Sequence, residues 1–123
     1  MRLRSVITAV AAAVLLAGCG GSTDRGDEGS EAAEPVVLDV TIADGEVTPT
    51  NDRVEVSVGQ EVVARVTSDA ADELHVHGEP EATWAVEPGM EGEEFRYTPQ
   101  IPGQIAIETH GLHATVATLV VTP

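Results

Sequence analysis

From Val36 to Pro123 the chain repeats one pattern: short runs rich in Val, Ile and Thr, apolar at every second position, broken by Gly, Pro, Asp or Asn. A period of two puts alternate side chains on one face of a strand, and frequent turn residues between runs point to an all-β sandwich or barrel. The expected strands are Val36–Ile42, closed by Asp44-Gly45, then Arg53–Val58 and Glu61–Ser68, separated by Gly59-Gln60. A short strand carries Leu74 and Val76, and another runs Trp84–Val86 before Pro88-Gly89. Phe95 and Tyr97 share a face in the next, Ile105 and Ile107 in the one opened by Pro102-Gly103, and Thr115–Thr122 closes the domain. The only aromatics are Trp84, Phe95 and Tyr97, so Val, Ile, Leu and Ala must supply the core.

The N-terminus reads differently. Arg2 and Arg4 precede an uncharged apolar run, Val6–Leu16, and then the small residues Ala17 and Gly18. That order is a secretory signal, and the run is shorter than the ~20 residues a membrane span needs. Leu16-Ala17-Gly18-Cys19 resembles the lipobox of bacterial lipoproteins. The resemblance implies a signal peptide over residues 1–18, cleavage before Cys19 and a lipid on its sulfur. Two or more acyl chains anchor stably where one binds reversibly. Cys19, the single cysteine, is then consumed as an anchor, leaving no thiol for catalysis, redox work or a metal. Residues 19–35 lack apolar periodicity and are rich in Gly, Ser, Asp and Glu, the composition of a disordered, self-repelling tether. The domain is expected over residues 36–123, outside the cytoplasm and lipid-anchored to the cell membrane.

Charge narrows the partners. The chain carries 21 Asp and Glu against 6 basic residues, a net charge of −15. Loss of residues 1–18 takes Arg2 and Arg4 with it, leaving 21 acids against 4 Arg, or −17. Nucleic-acid binding needs a basic footprint and is excluded. Such a domain is repelled by anionic headgroups and gathers cations around itself. The same acids also serve simply to keep a tethered domain soluble.

Histidine is scarce, with 4 in the chain: His75, His77, His110 and His113. In a strand, residues i and i+2 project from one face about 6.6 Å apart. His75 and His77 therefore project together, opposite Leu74 and Val76. Two such imidazoles can converge on one metal ion, and imidazole suits copper, zinc, nickel and iron, with Cu(II) favoured by intrinsic affinity. His110 follows the strand bearing Ile105 and Ile107, and His113 sits beyond Gly111 in an expected turn. Should the two segments end side by side, three or four imidazoles meet. Asp72, Glu73, Glu79 and Glu108 are either ligands, partners that orient the rings, or ordinary solvated charge. Met90 reads as loop packing rather than as a thioether ligand.

At these residues the chain resembles the cupredoxins. SDAADELHVHG, from Ser68 to Gly78, resembles the segment bearing the family's first histidine ligand, and FRYTPQIPGQIAIETHGLH, from Phe95 to His113, resembles its closing segment. The resemblance extends in particular to small actinobacterial cupredoxin-like lipoproteins with a D-E-L-H-V-H-G stretch. It implies a Greek-key β-sandwich or barrel over residues 36–123. Blue-copper members bind through one Cys, two His and a weak axial Met. Their Cys position falls near Thr109 here, and a hydroxyl cannot replace a thiolate. His75 best matches the first histidine ligand and His113 the downstream one, while His77 and His110 match the D-E-L-H-V-H-G subgroup.

The residues and the resemblance together point to a tethered metal-binding module, not an enzyme and not a type 1 blue-copper site. Copper is the expected ion, with zinc or another divalent transition metal as the alternative. The candidate ligands are His75, His77 and His110, with His113 exchangeable for His110 by a one-residue loop shift. Two rival readings stand. His75-x-His77 followed by Glu81 has the spacing of the first cupin metal motif, although His110 lies too far beyond Gly103 for the second. A metal-free module that docks on another envelope protein is the other. No GxSxG or glycine-rich phosphate loop is present.

Overall fold

The computed structural model describes residues 32–123. The signal peptide, the lipidated Cys19 and most of the tether expected from the sequence lie outside the described residues. Nine strands and no helix make up the described chain. They are β1 (Val36–Ala43), β2 (Glu46–Thr48), β3 (Asp52–Ser57), β4 (Val62–Ser68), β5 (Asp72–His77), β6 (Ala82–Val86), β7 (Met90–Tyr97), β8 (Gly103–Thr109) and β9 (Ala114–Thr122). Eight correspond to runs read from the alternation. The additional one, β2, offers a single buried side chain, Val47, which is too short a stretch to show a period.

The strands form two sheets, ordered β2-β1-β4-β7 and β3-β9-β8-β5-β6. Most neighbours are antiparallel, but β1 runs parallel to β4 and β3 parallel to β9. Each sheet turns one face inward. Leu38, Val40 and Ile42 of β1 and Val62, Ala64 and Val66 of β4 meet Leu74 and Val76 of β5, Ile105 and Ile107 of β8, and Leu119 and Val121 of β9. Burying an aliphatic side chain of this kind contributes about 1.5–3 kcal/mol, which makes the inward row of each strand non-negotiable and so fixes its register. Trp84 of β6 stacks on Phe95 of β7, with ring centroids 5.3 Å apart, where the edges of the two sheets meet.

Two irregularities matter. Opposite Val66 and Thr67, β7 carries one extra residue, Gly92, with φ of 73°, a left-handed conformation that suits a bulge glycine. Between Ile107 and Glu108, β9 carries the extra residue Val116, so Glu108 faces Thr115 rather than Val116. The second bulge lies beside the histidines.

The chain enters the domain at the end where β8 begins. Val36 N–H donates to the Glu61 carbonyl at 2.9 Å, Gln60 binds the Glu34 carbonyl at 2.8 Å, and Gly59 N–H donates to the Pro99 carbonyl at 2.9 Å. Gly103 pairs with Val121 at this end, and Thr109 pairs with Ala114 at the other. Six residue steps along β8 separate the two poles by about 20 Å.

Candidate metal centre

The outward face of β5 carries Glu73, His75 and His77, and the inward face carries Leu74 and Val76, both fully buried. β8 continues the two rows. His75 lies directly opposite Glu108, and Leu74 opposite Thr109. The imidazole rings of His75 and His77 are neighbours, with centroids 4.1 Å apart and planes tilted by 37°. Beyond Thr109 the chain turns through residues 110–113 before β9. The turn brings the His110 ring to 6.4 Å from that of His75. His113 closes it in a left-handed backbone conformation, φ 52°, unusual for a residue with a side chain. All four histidines line one cleft of about 220 Å³ with Glu108 and Thr109.

The turn is held from beneath by Asp72. Its carboxylate accepts hydrogen bonds from Gly111 N–H at 2.6 Å and Leu112 N–H at 3.2 Å. A Cβ on Gly111 would press against that carboxylate at 3.1 Å. His110 N–H donates in turn to the Glu73 carbonyl at 2.8 Å. The start of β5 thus fixes a turn some forty residues later in the chain.

Each of three imidazoles has a carboxylate partner. His75 Nε2 lies 2.9 Å from Glu81 Oε1, His77 Nε2 lies 2.9 Å from Glu108 Oε2, and His110 Nδ1 lies 3.2 Å from Glu73 Oε1. Thr115 Oγ1 adds a contact of 3.2 Å to Glu108, made available by the bulge in β9. Glu81, which the cupin motif would make a metal ligand, is here the partner of His75. Glu79 acts on Tyr97 instead, whose phenol pKa is raised first by burial and second by the charge of Glu79. Met90 starts β7 opposite Ser68 and lies in the other sheet, packed on the core.

The barrel interior is a different environment. Thr109 is buried and turned inward, and its hydroxyl bonds the Ala114 carbonyl at 3.2 Å and accepts from Ala114 N–H at 3.1 Å. The strand-borne histidines therefore stand on the opposite face of the sheet from the residue at the expected cysteine position. The two segments do end side by side, and His75 and His77 stand on the outer face of the five-stranded sheet. Among the described residues, no three His, Cys, Asp or Glu side chains are already gathered in the arrangement that would hold a metal.

No protein-family model and no curated protein matches the chain. Solved structures do. A mutant of amicyanin in its Cu(I) form is 18% identical, with a TM-score of 0.51 over 76% of this chain and 88% of that one. Auracyanin A, a "blue" copper protein from Chloroflexus aurantiacus, is 17% identical, with a TM-score of 0.52 over 72% of this chain and 99% of that one. The blue copper oxidase from Nitrosomonas europaea is 16% identical, with a TM-score of 0.56 over 73% of this chain but only 39% of the oxidase. Identities this low carry the fold alone, and the fold they carry is that of the cupredoxins: residues 36–123 form a cupredoxin-like β-sandwich.

Proposed function

We propose that this chain is a lipid-anchored, extracytoplasmic metal-binding protein that takes copper through a histidine cluster and not through a type 1 site. The carrying observation is that the 4 histidines of the chain, from two segments distant in sequence, line one cleft. The donor set fits Cu(II), for which imidazole nitrogen is a favoured ligand, and zinc second. His75, His77 and His110 would hold the ion, with His113 at the rim. A bound ion supplies Lewis acidity and, for copper, a one-electron couple. The chain supplies an acidic surround, with Glu73, Glu81 and Glu108 on the same face, that draws cations toward the cleft.

Three further observations support this reading. The structural neighbours are copper proteins. The only cysteine, Cys19, lies outside the domain, and Thr109 turns its hydroxyl into the backbone, so no thiolate is offered for a blue site. The chain also enters the domain at the pole where β8 begins, away from the cleft near the other end of β8, so the entering segment leaves the cleft uncovered. A binding module that captures, buffers or hands over an ion suits an open cleft, and no catalytic role is assigned.

Titration calorimetry of the intact chain with Cu(II) tests the proposal. Loss of binding in the His75→Ala/His77→Ala/His110→Ala variant is expected, and equal binding by variant and wild type rejects it. One observation favours a second reading, a metal-free interaction module: three imidazoles already have carboxylate partners. Absence of Cu(II) and Zn(II) binding by the wild-type chain would select it.

A further inference from the structure

β3 is an edge strand: among the described residues it pairs with β9 alone. Val56 lies opposite Val121 in that ladder, and Val58 N–H donates to the Thr122 carbonyl at 2.8 Å. Backbone groups alternate sides along a strand. Val54, Val56 and Val58 therefore face β9, while Arg53, Glu55 and Ser57 turn their N–H and C=O groups to the open edge. Two of those N–H groups are satisfied locally, Arg53 by Asp52 Oδ1 and Ser57 by Gln60 Oε1, each at 2.9 Å. No side chain among the described residues does the same for Glu55. The Arg53 and Glu55 side chains are exposed, and Val54 between them is half-buried against the core. Arg65 and Arg96 each have carboxylate partners, whereas Arg53, the third arginine among the described residues, has none.

An open strand edge is a template for another strand, and the charges on it decide which strand can add. We propose that β3 is the surface through which two copies of this chain associate, as an antiparallel two-fold pair centred on Val54. Charge selects that register. Centring on Arg53 sets Arg53 against its own copy, and centring on Glu55 does the same for Glu55. Centring on Val54 sets Arg53 against the partner's Glu55 and Glu55 against the partner's Arg53. Each of these opposed residues has its backbone groups turned outward, so each couple exchanges both N–H···O=C bonds, and Arg53 N–H leaves Asp52 to do so. Val54 then meets its counterpart in the non-hydrogen-bonded position, where side chains approach most closely. Asn51, left-handed with φ of 55°, and the Gln60 bond to Ser57 bound the ladder at its two ends. The opposite edge of the sheet, β6, is covered by the stack of Trp84 on Phe95, and a two-fold contact is closed, so pairing stops at two copies. The inference is independent of the metal-binding reading.

A contact this short is weak, so the test is sedimentation of the intact chain at concentrations up to about 1 mM, in ~0.15 M salt to screen its net charge of −15. A monomer is expected in dilute solution and a dimer as concentration rises, with hydrogen exchange of the Glu55 amide slowing in step. Arg53→Glu and Glu55→Arg each set like charges across the pair, and symmetry counts each change twice. Each should weaken association about 10-fold without moving the melting temperature. The double variant Arg53→Glu/Glu55→Arg restores opposite charges and should recover the association of the wild type. A monomer throughout overturns the inference. A dimer indifferent to either single change lies on another surface and overturns it as well. Failure of the double variant to recover overturns the register and the proposal with it.

Discussion

His75 and Glu108 lie directly opposite each other across β5 and β8, yet each forms an ion pair with a different partner. His75 reaches along the sheet to Glu81, and Glu108 reaches diagonally to His77. On this face β5 presents Glu73, His75 and His77 in a row, and β8 presents Glu108 opposite His75 and Ala106 opposite His77. Pairs of opposite character across a sheet are favourable at a few tenths of a kcal/mol each, and like charges facing each other are not. The arrangement lets three imidazoles and three carboxylates share a small area.

Asp72 makes the most consequential single contact around the turn, since it gathers two N–H groups of residues 111 and 112. Asp72→Ala leaves both donors without that acceptor and is expected to cost about 1–3 kcal/mol in chemical denaturation. Because the turn carries His110, Cu(II) affinity should fall in the same variant although no ligand has been removed. Unchanged affinity would show that the turn finds its conformation without Asp72.

Thr109 tests the sidedness of the centre. Its hydroxyl points inward, so a thiol in Thr109→Cys shares the interior with Leu74 and not the outer face with His75. Adding Cu(II) to this variant should produce no intense visible charge-transfer band. A strong blue band would mean that thiolate and imidazoles reach one ion, and would refute the outer-face location. The separate change Thr109→Val strips the bonds to Ala114 and should destabilise by about 1–3 kcal/mol.

Tyr97 is buried, and its hydroxyl has no hydrogen-bond partner among the described residues. Burial first, and the charge of Glu79 second, raise its pKa above the ordinary 10.0. The folded state therefore holds the phenol proton more tightly than the unfolded state. Stability from this source is complete below pH 10.0 and is lost as pH rises through the folded-state pKa. Thermal melts of wild type and Tyr97→Phe should diverge only in alkali, the wild type falling more steeply. At neutral pH Tyr97→Phe should be neutral or slightly stabilising, because it removes a polar group that bonds to nothing.

Gly78 explains how that hydroxyl is accommodated. A Cβ at Gly78 would overlap the Tyr97 hydroxyl and stand 2.8 Å from Ile105 Cδ1. Gly78→Ala should cost about 1–3 kcal/mol through overpacking. The cost should shrink, without vanishing, in the Tyr97→Phe background, since Ile105 still crowds the position. A full, additive penalty in the double variant would show that Tyr97 is not the obstacle.

Much of this domain could be read directly from the residues. Alternation located eight strands without fixing all their bounds, and Leu74 and Val76 had to be inward because a period of two leaves His75 and His77 on the other side. The same rule puts Glu73 beside them, a signal for its partnership with His110 that composition obscures because acids are everywhere in this chain. β2 escaped because three residues with one buried side chain have no period to detect.

Local sequence thus dictated the strands, their buried rows and the shared projection of His75 and His77, because these depend only on backbone geometry and the cost of exposing aliphatic groups. Tertiary pairing decided the rest. The register of β5 on β8 set Glu108 against the histidines and turned Thr109 away from them, and the bulge at Val116 brought Thr115 to Glu108. Asp72 captured a turn 39 residues away. Nothing local to either segment encodes those contacts, since a slip of one residue in the pairing would reverse every face and leave the alternation in the sequence unchanged.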